Sequence, residues 1–229
     1  MSEQPRLFEF RMGERSPDSL VVSEANRDAA GLLTDWRSWP GGALALVGPK
    51  GAGKTHLALA WALEAGARQL AVHVSPDEAA AIFHDAEGRL LIDDADLAAH
   101  EATLWRVLDL ARAKGGAVLL TSARTPADWL VGLPDLRSRL AALPVARLKE
   151  PDEALMEVIL RRICREQFIL LSDDAAQYLV RRLPRTFAAA QACAAALDAE
   201  LVRGAKPVSL ASAKKALARM EAARGGEDC

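Results

Sequence analysis

Apolar and polar positions fall into two registers along the first two thirds of the chain. Short unbroken apolar runs occur at Ala43–Val47, Leu70–Val74, Leu90–Ile92, Ala117–Leu120 and Val145–Leu148, each of the length of a buried strand. Between them lie stretches with helical spacing: Ala25 to Trp36, Leu57 to Ala65, a segment opened by Ser75-Pro76-Asp77-Glu78, and Glu101 to Lys114, in which Leu104, Val107, Leu108 and Ala111 recur. Gly66 and Gly115-Gly116 are helix stops, and Ser75 followed by Pro76 is an N-cap with proline at the first helical position. Strict alternation of strand and helix predicts an α/β fold, a parallel five-stranded sheet with helices on both faces and ligands at the carboxyl ends of the strands. At Glu150-Pro151 the pattern changes to helix alone: 152–167, 172–183, 186–203 and 209–223, with Pro184-Arg185 and Gly204–Pro207 as turns. The predicted organisation is a polar, flexible N-terminal arm over 1–16, an α/β unit over 17–150 that begins with the β-type run Leu20-Val21-Val22, a small all-helical lid over 151–224, and a frayed tail over 225–229.

The junction between the first core strand and its helix reads Gly48-Pro49-Lys50-Gly51-Ala52-Gly53-Lys54-Thr55-His56. Glycines at that spacing let backbone N–H groups turn inward around an anion, the following helix N-terminus adds positive potential, and Lys54 supplies a mobile point charge. The Thr55 hydroxyl suits Mg²⁺. Asp93, after the apolar run Leu90–Ile92, suits the same ion through water, and Thr121 lies at a neighbouring strand end. Asp94 stands where a water attacking a phosphate would be oriented, or else serves as a cap or turn residue. An aspartate there is one methylene shorter than glutamate, so slow hydrolysis is expected.

Composition narrows the classes. A chain of 229 residues, 51% hydrophobic, buries one large domain or a medium and a small one. The net charge of −2 argues against a surface built to neutralise many phosphates, since nonspecific duplex binding needs a clustered excess of Lys and Arg; a DNA-binding role is therefore disfavoured, and direct sequence-specific DNA binding is not expected. Cys164, Cys193 and Cys229 are far apart and in no Cys-x-x-Cys arrangement, which fits a reducing compartment, and the histidines have no metal-ligand spacing. With no membrane-length apolar run and no signal-peptide core, the reading is cytoplasmic.

Two arginines and one short peptide complete the candidates. Arg139, in Leu133-Pro134-Asp135-Leu136-Arg137-Ser138-Arg139-Leu140, lies between the fourth and fifth strands, poorly placed for its own γ-phosphate but able to reach one in a neighbouring molecule; the alternative is a surface ion pair. Arg185, in the first turn of a lid helix, could fold over the phosphates of its own nucleotide. Gln4-Pro5-Arg6-Leu7-Phe8 offers an aliphatic–aromatic pair three residues after a glutamine, either a docking peptide or an arm that folds back on the domain.

Taken together, the phosphate-binding loop, Leu90–Asp94, Arg139 and Arg185 resemble an AAA+ P-loop NTPase. The wording Gly-Lys-Thr-His and Leu-Ile-Asp-Asp resembles the initiator DnaA, with Ala123 where DnaA has a polar sensor residue. Leu133-Pro134-Asp135-Leu136 before Ser138-Arg139-Leu140, and Arg185-Thr186-Phe187-Ala188-Ala189, resemble the Hda family of DnaA-homologous regulators, α-proteobacterial type. That resemblance implies a DNA replication inhibitor, bound to ADP or ATP with Mg²⁺, that is tethered to the polymerase III sliding clamp (β subunit) through Gln4, Leu7 and Phe8. It implies an arginine finger, Arg139, presented in trans to DnaA to promote hydrolysis of its ATP, with weak or no intrinsic ATPase. By analogy Val21, Val22 and Asn26 contact adenine, and a homo-oligomer is left open. The competing readings are a self-contained AAA+ ATPase of helicase-loader or clamp-loader type, which uses the same loop, and a P-loop kinase, which needs a basic lid and an acceptor pocket.

Overall fold

The computed structural model describes residues 23–71, 73–98, 100–200 and 207–225. Five strands, β1 Ala43–Val47, β2 Arg68–Gln69, β3 Arg89–Ile92, β4 Ala117–Ser122 and β5 Val145–Arg147, form one sheet in the order β2-β3-β4-β1-β5, parallel throughout. Period-two alternation divides the strand residues between two cores. Leu90, Ile92, Val118 and Leu120 face α3 (Pro76–Asp85), α5 (Glu101–Lys114) and α6 (Pro134–Ala141). Leu44, Leu46, Leu91 and Leu119 face the opposite way, toward α1 (Arg27–Thr34) and α2 (Lys54–Ala65). A sheet buried on both faces explains why its strands read as unbroken apolar runs and not as alternating ones.

The helix boundaries follow the predicted chemistry. Ser75 and Glu78 close a capping box on α3, and Gly66 and Gly115 take left-handed conformations at the ends of α2 and α5. A four-residue helix, α4 (Ala95–Ala98), follows β3. Two expectations are corrected. The apolar run Leu70–Val74 is not the second strand: β2 is the two-residue edge strand before it, paired to β3 through Arg68 and Leu90 and through Gln69 and Leu91. Leu70 still donates its N–H to the Leu91 carbonyl, at 2.8 Å, and then plugs the core beneath α3. The Val74 carbonyl accepts from the Thr103 hydroxyl instead of a sheet partner, which turns the chain into the Ser75 cap. Nor does the first helix reach Trp36; it ends at Thr34, and a 3₁₀ turn over Trp36–Ser38 carries the chain to Trp39, whose indole N–H returns to the Leu32 carbonyl.

After β5 the chain is helical: α7 (Glu153–Glu166), α8 (Asp173–Val180), α9 (Phe187–Glu200) and α10 (Leu210–Gly225). Asp152 and Ser172 cap α7 and α8 through their side chains. These helices enclose their own core of Met156, Leu160, Cys164, Leu179, Cys193 and Leu197. Burial pushes the thiols of Cys164 and Cys193 up to about 12, with the neighbouring Cys164 adding to the rise at Cys193, so both behave as small apolar groups. The arm, Leu20–Val22 and the last four residues lie outside the described residues, as do the final three residues of the predicted helix over 186–203.

Candidate functional site

The phosphate-type loop joins the buried end of β1 to the first turn of α2. Close packing and not composition explains two of its glycines. A Cβ on Gly48 would stand 2.8 Å from the Leu148 carbonyl oxygen, and one on Gly51, where φ is +83°, would stand 2.7 Å from both Cβ and Cγ2 of Thr186. At Gly53 (φ +95°) a Cβ meets nothing within 4 Å, so space is open on the side where an anion would approach. Lys54 is buried, 8% exposed, with its ammonium donating to the Gly48 and Pro49 carbonyls at 2.9 and 3.1 Å. The loop therefore already holds its own cation against its backbone. A phosphate in the cradle would offer the ammonium a charged acceptor in place of two carbonyls, a stronger bond of the same geometry.

The metal-side residues are brought together. Thr55 Oγ1 donates to Asp93 Oδ1 at 3.2 Å across the gap between α2 and the end of β3. Thr121, fully buried at the end of β4, donates to the same carboxylate oxygen at 2.5 Å and accepts the Asp94 N–H at 2.8 Å. One hydroxyl thus fixes Asp93 and sets the backbone of Asp94, which takes a left-handed φ of +47° that aspartate tolerates. The Asp94 residue is exposed beyond the strand end. A hydroxyl and a carboxylate at this separation are a hard oxygen set that fits Mg²⁺, with Thr55 and Asp93 as the residues that would hold it. The sequence drew attention to Thr121 by position; its double role as the clip on Asp93 and Asp94 comes only from the fold.

The lid reaches the loop directly. Phe187, the first residue of α9, donates its N–H to the Gly51 carbonyl at 3.3 Å, and its ring stacks on His56 of α2 with centroids 5.9 Å apart. Thr186 packs on Gly51 and caps α9 by accepting the Ala189 N–H. The outward-facing carbonyl of the phosphate loop is therefore the surface on which the lid is seated. Nothing in the spacing of Thr186 and Phe187 relative to Gly51, 135 residues apart for Thr186, announces this contact. Arg185, one residue before, forms an ion pair with Glu153 of α7 at 3.5 Å, both side chains half exposed.

The remaining candidates are dispersed. Arg139 lies near the end of α6 with its guanidinium 2.8 Å from Asp109 and 5.6 Å above the Trp105 ring, both on α5. Those partners occupy the sheet face opposite α2, so the site residues of the chain's own loop are not among them. Asn26, before α1, accepts the Ser23 N–H at 2.8 Å. Val21, Val22, Gln4, Leu7 and Phe8 lie outside the described residues. Among the described residues no helix is long and apolar enough to cross a membrane.

No protein-family model matches the chain. An uncharacterised protein of Haemophilus influenzae is 29% identical over 150 residues, 60% of this chain and 65% of that protein, so the match spans slightly less than two thirds of the relative's length. Domain III of the Thermotoga maritima replication initiation protein DnaA superimposes with a TM-score of 0.70 at 19% identity, covering 90% of this chain and 96% of that domain. The Thermotoga maritima Holliday junction branch migration motor RuvB gives 0.68 at 22% identity, over 89% of this chain and 71% of that one. A structure of DnaA bound to AMPPCP and single-stranded DNA gives 0.60 at 18% identity, over 80% and 64%. At these identities the likeness establishes the fold alone: a parallel five-stranded sheet with helices and a helical C-terminal region, as in those DnaA and RuvB structures.

Proposed function

We propose that this chain is a DnaA-directed regulator of replication initiation of the Hda kind. It holds ADP in its own loop and supplies an arginine in trans that promotes hydrolysis of the ATP on DnaA while tethered to the DNA-loaded sliding clamp. The observation that carries the reading is the double assignment of arginines. Arg185 sits at the lid–loop junction, where a phosphate could displace Glu153, whereas Arg139 is anchored on the far sheet face by Asp109 and Trp105. A guanidinium held away from its own nucleotide suits charge developing on someone else's γ-phosphate. Gly48 to His56 and Arg185 would bind the nucleotide, Thr55 and Asp93 the Mg²⁺, and Val21, Val22 and Asn26 the adenine. Asp94 would give slow turnover at most. Gln4, Leu7 and Phe8 would bind the clamp.

The test is the conversion of ATP to ADP on purified DnaA with clamp-loaded DNA. Wild-type protein should stimulate it, and Arg139→Ala should not, while both bind ADP equally. Stimulation undiminished by Arg139→Ala removes the finger assignment. Absence of stimulation together with ATP turnover by the chain alone would instead identify a self-contained ATPase.

A further inference from the structure

Whole-chain charge conceals a local excess. Between Ala175 and Met220 the sequence has eight Lys and Arg against two acids, although the chain as a whole is −2. The fold gathers part of that excess on one ridge. α8 and α10 begin side by side just after the parallel bridge between Leu171 and Val208 and pack against one another. Tyr178 of α8 rests partly buried on the lid core. Its ring is covered by the Arg182 guanidinium, 3.9 Å from the ring centre, and the Lys214 ammonium of α10 lies 5.6 Å from the same point. Arg182 also donates to the Tyr178 carbonyl at 3.3 Å, which fixes its guanidinium over the helix end. Arg181 and Lys215, next to these two in sequence, are exposed.

None of these four cations has a carboxylate partner among the described residues. The nearest acids along the two helices, Asp174 one turn before Tyr178 and Glu221 two turns beyond Lys214, make no ion pair with them. Like charges gathered without counter-charge repel, and cation–π contacts offset only part of that repulsion. An anion from outside would relieve that repulsion. The end of one helix and the second turn of its neighbour supply two pairs of exposed cations, one member of each pair lying over the same aromatic ring. That suits a polymer of regularly spaced phosphates better than a single anion, and it offers no base-reading element.

We propose that the α8–α10 ridge binds the phosphate backbone of duplex nucleic acid without sequence preference. The inference stands apart from the nucleotide site and from the regulatory reading above. It departs from the expectation, drawn from net charge alone, that duplex binding is disfavoured, and keeps the expectation that no sequence is read.

The test is fluorescence anisotropy of a labelled 20-base-pair duplex titrated with the full chain between 50 and 300 mM NaCl, repeated with a second, unrelated sequence. Neutralising three or four phosphates gives a slope of log affinity against log salt of roughly −3 to −4. Arg182→Gln with Lys214→Gln should make that slope shallower by about 2 and weaken binding at 50 mM salt roughly 100-fold. The melting temperature should stay within a few degrees, and Arg112→Gln, an exposed cation on α5, should change nothing. Absence of duplex binding at 50 mM salt overturns the proposal, as does binding that the double variant leaves intact or a marked preference for one sequence. Retention on vesicles of 70% phosphatidylcholine and 30% phosphatidylserine without duplex binding would assign the ridge to an anionic membrane, with exposed Phe168 and Leu170 before α8 as the inserting pair.

Discussion

Replacing Gly51 by alanine should uncouple the lid from the phosphate loop. The backbone there has φ +83°, and an L-residue in the left-handed region costs roughly 1–2 kcal/mol. The new methyl would also lie 2.7 Å from both Cβ and Cγ2 of Thr186, closer than carbon atoms approach, so α9 has to move. Moving it removes the Phe187 N–H bond to the Gly51 carbonyl, worth about 0.5–1 kcal/mol at 3.3 Å, and the stack on His56, worth about 0.5–1 kcal/mol more. The docked lid is thus destabilised by about 2–4 kcal/mol. If the nucleotide is held between loop and lid, its affinity falls by roughly 30-fold to several hundredfold. Titration with a fluorescent ADP derivative reads this directly. A second variant makes the steric origin decisive: Thr186→Gly in the Gly51→Ala background removes both clashing atoms at a capping cost of only a few tenths of a kcal/mol. It should recover at least about tenfold in affinity, one step of about 1.4 kcal/mol. Wild-type ADP affinity in Gly51→Ala, or no recovery in the double variant, would refute the seating of Thr186 on the loop as the link between lid and nucleotide.

Lys54→Ala should weaken ADP binding by about 10- to 150-fold in the same titration, because a charge-assisted bond to phosphate of about 1.5–3 kcal/mol is lost. Asp109→Asn and Arg139→Ala should show a coupling of about 1 kcal/mol in a urea-unfolding double-mutant cycle, since the pair is only part-buried; coupling indistinguishable from zero would mean that Arg139 is not held by Asp109. Cys164 and Cys193, with thiols raised to about 12 by burial, favour the folded state while protonated. That contribution is complete below the unfolded thiol range near 8.5–9 and is lost as pH rises from there toward 12, at up to about 1.4 kcal/mol per unit for each thiol. Urea midpoints should therefore fall more steeply from pH 8 to pH 10.5 in wild type than in the Cys164→Ala/Cys193→Ala protein, and equal slopes would contradict the burial assignment.

The parts of this molecule that could be read from the sequence are those whose physics is local. Strands buried on both faces announce themselves as apolar runs. Caps and stops such as Ser75, Gly66 and Gly115 act within a single turn, and a loop that must wrap an anion needs glycine, lysine and hydroxyl at fixed offsets. Leu70–Val74 misleads for a related reason: an apolar run reads as a buried strand, whereas here Leu70 is buried beneath α3 while Ala71 and His73 are exposed. What stayed hidden is every contact between distant segments. Thr121 as the shared partner of Asp93 and Asp94 depends on β3 lying beside β4. Gly51 looks in sequence like one more flexible loop residue, yet its missing side chain makes room for Thr186 of the lid. Charge shows the limit most plainly. Net charge sums over a surface, whereas a ligand meets only one ridge of it, so a chain that is acidic in total can still present Arg182 and Lys214 over one aromatic ring with no carboxylate paired to either among the described residues.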